Sequence, residues 1–114
     1  MEKSQSTNKQ SKDIKFNNSS LRIAVNEWLN HESSAIKKYG HISQWDTSSV
    51  TNMSKLFLNA YDFNSPIGNW DVSNVTDMSS MFQYSKFNQP LEFWNVGKVE
   101  KMVQMFVFTD FNQP

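Results

Sequence analysis

The spacing of apolar residues changes along this chain, and from Ile42 onward the changes recur in a fixed order. Residues 1–18 are mostly Lys, Ser, Gln and Asn, too polar to bury the surface that would offset the entropy of ordering them, so a flexible tail is expected there. In LRIAVNEWLN, Leu21, Val25, Trp28 and Leu29 fall three and four apart, the stripe of a helix that Ser19 or Ser20 can cap. A second short helix is expected over ESSAIKKY, ended by Gly40 in a left-handed position. Residues 19–41 thus read as a helical cap preceding three units, 42–66, 67–90 and 91–114. Trp45, Trp70 and Trp94 align across the units, as do Val50, Val75 and Val99; Met53, Met78 and Met102; Phe57, Phe82 and Phe106; and Phe63, Phe87 and Phe111. The first unit is longer by one residue, near Tyr61.

Within a unit, Trp70 and Val72 are two apart, which predicts an extended segment. Val75, Met78, Met81, Phe82 and Ser85 then follow at three and four, which predicts a short helix with Asn74 as its cap and Asp77 near its positive end. The FNQP segment turns the chain back, because proline gives no N–H and pushes the preceding residue out of helical geometry. One unit cannot cover its own apolar residues, so the units should stack. The expected fold class is an α/β repeat: a short, leucine-rich-repeat-like solenoid of three strand-plus-helix units with a parallel sheet, its strands about 4.8 Å apart.

The segments WDTSSVTNMSKLF and WDVSNVTDMSSMF, each followed by FNSP or FNQP, resemble the BspA-type leucine-rich-repeat surface proteins over residues 42–114. The leader from LRIAVNEWLN to YGHISQWD resembles the segment that opens such arrays. The resemblance implies an interaction or adhesion module without enzymatic activity, and a location at the cell surface.

Composition narrows the remaining classes. At 114 residues the chain is one small domain, with 11 basic and 11 acidic side chains and therefore no field to draw it to nucleic acid. It has no cysteine, which removes disulfides, thiolate zinc sites, cysteine nucleophiles and attachment of lipid through cysteine. Neither a signal peptide nor a membrane-spanning apolar run is written in it, so the sequence as given reads as soluble and intracellular, against the location that the resemblance implies.

Chemistry finds little foothold. Asp46, Asp71 and Asn95 recur at one position, with Asp62, Asp77 and Asp110 elsewhere, but the glycine-rich turn of a calcium loop is missing and the third rung is an amide. His31 and His41 have no metal-ligand spacing, and no nucleophile elbow or phosphate loop occurs. No enzyme, cofactor or metal is expected. Asn64, Asn88 and Asn112 read as amides that satisfy turn backbone. If the Trp, Met and Phe rows face inward, the outward positions Gln44, Asp46, Ser48, Asn69, Asp71, Ser73, Phe93 and Asn95 are the candidates for touching a protein partner. The third unit carries extra apolar residues, Val103, Val107 and Phe108, a candidate patch for association, including self-association. The leading expectation is a non-catalytic protein-binding or adhesion module; the alternatives are a truncated array with no role of its own and a carbohydrate-binding stack.

Overall fold

The computed structural model describes residues 14–114. Residues 1–13 of the expected tail lie outside this range, but Ile14–Asn18 do not behave as a tail. Phe16 is 1% exposed, packed against Tyr39 and Trp45, and its N–H donates to the Asp46 carbonyl at 3.1 Å. A lone Phe between Lys15 and Asn17 has no periodicity to announce it.

Helix α1 spans Asn18–Asn30 and α2 spans Glu32–Tyr39. Asn17, not Ser19 or Ser20, caps α1: its Oδ1 accepts the Ser20 N–H at 2.8 Å while Ser20 Oγ accepts the Asn17 N–H at 2.9 Å. Leu21, Ala24, Val25 and Trp28 form the buried stripe of α1, and Leu29 is largely outside it. Glu27 on α1 joins α2 by accepting from Ser34 Oγ at 2.5 Å and from Lys38 Nζ at 3.0 Å. Gly40 ends α2 at φ 78°, the left-handed region that a side chain would strain.

The expected strand-plus-helix units and parallel sheet are not formed. Among the described residues there are two α-helices, a single 3-10 turn at Ile42–Gln44 and no strand; parallel pairing is confined to the isolated bridges Lys15–Asp46, Asn52–Asp77 and Asp77–Lys101. Each unit is instead a chain of tight turns. N–H groups of Trp70, Val75 and Met81 donate back three residues to Ile67, Val72 and Met78, and the same turns recur at Trp94, Val99 and Met105. Lys55, Ser80 and Gln104 occupy the third position of the methionine turns at φ 57–61°, the left-handed geometry a type II turn requires; Asn59, Tyr84 and Phe108 repeat it four residues on.

The physical reason is that each N–H serves one acceptor well. Met53, Lys55, Phe57 and Asn59 turn theirs sideways, to the carbonyls of Asp77, Ser79, Met81 and Gln83 in the next unit, at 2.9 Å each. Met78, Ser80, Phe82 and Tyr84 do the same toward Lys101, Val103, Met105 and Val107 at 2.8–3.2 Å. Those donors are then lost to an i→i−4 helical ladder, which a segment this short would hold only weakly in water.

The units therefore stack in register. Trp45 and Trp70 lie parallel at 6.4 Å, Phe57, Phe82 and Phe106 are spaced at 5.6 Å, and Phe63, Phe87 and Phe111 at 5.8 and 6.2 Å. Each indole is anchored to the segment before it: Trp45 Nε1–H donates to Gly40, Trp70 to Ile42 and Trp94 to Ile67, at 2.7–3.1 Å. Where unit two has Val72, unit one has Thr47, fully buried, its hydroxyl satisfied by the Asp71 carbonyl at 2.9 Å. The asparagine row completes the joints: Asn64 Oδ1 accepts the Asn88 N–H, and Asn88 Oδ1 the Asn112 N–H.

Candidate functional site

Asp46 and Asp71 do not project from a strand; each closes an Asx turn. Asp46 Oδ1 accepts the Ser48 N–H at 3.0 Å and its hydroxyl at 2.6 Å, and Asp71 does the same with Ser73 at the same distances. Asn95 keeps the backbone half of the motif, from Gly97 at 3.0 Å. The serine hydroxyl and then the serine N–H hold both carboxyls below the ordinary carboxylate range. Lys15 reinforces this at Asp46, whereas the Asp46 charge opposes it at Asp71, as expected of carboxylates on adjacent rungs. Gln44, Asn69 and Phe93 are exposed beside them, Phe93 at 85%, while Ser48 and Ser73 are half-buried. The stack thus brings Gln44, Asp46, Ser48, Asn69, Asp71, Ser73, Phe93 and Asn95 onto one ridge of turns.

A parallel row runs through Asn52, Asp77 and Lys101. Asn52 and Asp77 accept the N–H of Ser54 and Ser79, and Asp77 is held below its ordinary range by that backbone bond, with Lys101 and Arg22 nearby. Among the described residues no three His, Asp or Glu side chains converge as a metal site. His41 Nδ1 accepts the Ser43 N–H at 3.2 Å, and its ring meets the edge of Trp28; His31 is exposed between the helices. Trp45 and Trp70 are buried and offer no ring face to a ligand.

At the far end, Val103 and Phe108 are 67% and 69% exposed, whereas Val107 is half-buried. Phe108 stacks on Tyr84 at 4.9 Å. Met102 is 45% exposed although Met53 and Met78 in the same row are fully buried, because no unit among the described residues covers it.

A groove of about 330 Å³ between the end of α1 and the loop around Tyr61 was not expected from the sequence; Trp28, Asn30, Glu32, Asn59, Tyr61 and Asp62 line part of it. Its only signal was the extra residue of the first unit, which pushes Tyr61 into solvent. No helix among the described residues is long and apolar enough to cross a membrane.

Neither the curated proteins nor the solved structures contain a match to this chain. A family model does match it, over residues 24–114, which takes in most of α1, all of α2 and the three stacked units. The chain belongs to the family described as Mycoplasma protein of unknown function, DUF285.

Proposed function

We propose that the chain is a non-catalytic protein-binding module that engages its partner through the ridge of turns from Gln44 to Asn95. The observation that carries this reading is the pair of Asx turns. They fix the Asp46 and Asp71 carboxylates in the charged form on a rigid, exposed row, each leaving its second oxygen unclaimed among the described residues. Groups ordered before binding cost less entropy to use, and fixed carboxylates suit guanidinium and amide donors on a partner. Phe93, exposed at the end of the same ridge, supplies an apolar anchor of the kind that dominates interfaces. The resemblance of the repeats to BspA-type surface proteins supports the same class of role.

The test is capture from extracts of the source cell on immobilised protein, comparing the native chain with the variant Asn69→Lys, Asp71→Lys, Phe93→Ala. The expected result is a discrete protein held by the native chain and lost by the variant, with both showing the same circular dichroism. Equal retention by the two removes the ridge as the site.

A further inference from the structure

The groove beside Tyr61 lies between internal segments of the chain, where the helical cap meets the first unit. Leu29, Asn30 and Glu32 form one wall, at the end of α1 and the start of α2, and Asn59, Tyr61 and Asp62 form the other. Trp28 and Phe63, each 4% exposed, close its floor. The wall from the first unit owes its shape to the one residue that this unit has between Phe57 and Phe63 and the second unit lacks between Phe82 and Phe87.

The polar groups of the groove are unmatched in a consistent sense. Glu32 on one wall and Asp62 on the other make no ion pair or hydrogen bond among the described residues, unlike Glu27, which Ser34 and Lys38 hold. No Lys, Arg or His side chain lines the groove to offset the two carboxylates. Asn30 gives its Nδ2 to the Asn26 carbonyl and Oδ1, each at 2.9 Å, so what it leaves unclaimed is an acceptor. Tyr61, 68% exposed, sets an aromatic ring at the rim. At the floor, the Trp28 Nε1–H makes no hydrogen bond among the described residues, whereas the indoles of Trp45, Trp70 and Trp94 all do. A buried donor without a partner is costly and calls for one.

These groups specify an occupant. Two carboxylates with no cation beside them repel anions, and acceptors on both walls ask for a ligand rich in N–H donors. A guanidinium is planar, always charged, carries five such donors and stacks on aromatic rings. The backbone carbonyl of the same arginine supplies the acceptor that the Trp28 indole lacks, which neither a free amine nor a metal ion does. The volume of about 330 Å³ stands at the small end of ligand pockets, about 300–1,000 Å³, and suits one long side chain with the backbone that bears it. A second copy of this chain does not provide it. The sequence contains one arginine, Arg22, and its Nη2 already donates to the Asn52 carbonyl and Oδ1 at 3.3 and 3.2 Å.

We propose that the groove beside Tyr61 binds an arginine side chain presented by a partner protein. The site is separate from the ridge of turns, and it rests on the protein-binding reading only for the source of the arginine.

The experiment titrates the full, isotopically labelled chain with the peptide acetyl-Gly-Arg-Gly-amide and follows its NMR spectrum. Saturable shifts are expected at the amides of Asn30, Glu32, Asn59 and Asp62 and at the Trp28 indole N–H. The same peptide with citrulline, equal in shape but uncharged, should give none, and the lysine peptide should bind more weakly than the arginine peptide. Asp62→Lys should weaken binding about fivefold or more while keeping the fold, since the second unit carries Lys86 at the matching position. Tyr61→Ala should weaken it as well, by removing the ring at the rim. Equal binding of the citrulline peptide, shifts that map away from the groove, or unchanged affinity in both variants overturns the proposal; so does a lysine peptide that binds as tightly, which would assign the groove to amines. The variant Asn69→Lys, Asp71→Lys, Phe93→Ala should take up the arginine peptide as the native chain does, so failure of the ridge and failure of the groove are read separately.

Discussion

At the scale of single residues, the fold depends on side chains that replace missing backbone partners. Asp46 and Asp71 each hold a turn closed, and serine donors lower both carboxyls. A group lowered in the folded state adds stability that is complete above the ordinary carboxylate range and is lost as pH falls through the folded value. Stability should therefore decline below about pH 4. Asparagine makes the same turn without a proton to gain, as Asn95 does with Gly97. The double variant Asp46→Asn, Asp71→Asn should show a shallower acid decline with little change at neutral pH, read as thermal midpoint against pH. An unaltered slope would mean that these carboxyls carry none of it. The rows of Trp, Met and Phe were legible at this scale because they repeat at fixed distance, but the left-handed positions were not. They are filled by Lys55, Asn59, Ser80, Tyr84, Gln104 and Phe108, and a glycine marks none of them.

At the scale of elements, the sequence distinguished the capping helices from the repeats but mistook what the repeats are made of. A spacing of three is shared by a helical stripe and by turns closed from residue i+3 to i. Met53 and Leu56, or Met78 and Met81, fit both. What decides between them is the sideways bonding to the next unit, which no periodicity within one unit records. The helices α1 and α2 bond within themselves, and their extents were legible in full at α2 and at the end of α1, whereas α1 starts two or three residues earlier than expected. Capping by Asn17 makes α1 a local problem with a local test. Asn17→Ala should cost about 1 kcal/mol by removing the bond to Ser20, seen as a lower thermal midpoint, whereas Asn17→Asp should be nearly neutral.

At the scale of the whole molecule, burial falls off toward the third unit. Phe57 and Phe82 are fully buried and Phe106 is partly buried, although the three occupy one column. Phe82 is stacked between Phe57 and Phe106 and also lies against Phe87 at 4.1 Å. Phe82→Ala should cost roughly 3–5 kcal/mol, and Phe106→Ala distinctly less, as measured by denaturant unfolding. Equal losses would show that the end unit is as well supported as the middle one. The ridge candidates were nameable from the sequence because register alone places them together. The groove beside Tyr61 and the core position of Phe16 were not, since both depend on how the leading segment and α1 lie against the first unit.

The two joints use the same bonds at the same spacing, so the middle unit meets each neighbour through matching halves of one connector. A module of that kind can be duplicated or deleted within a gene without redesigning either flank, provided the change is a whole multiple of its length. Family members should therefore differ in copy number more readily than in the residues of the connector, and array length becomes a trait that inheritance can tune in single steps.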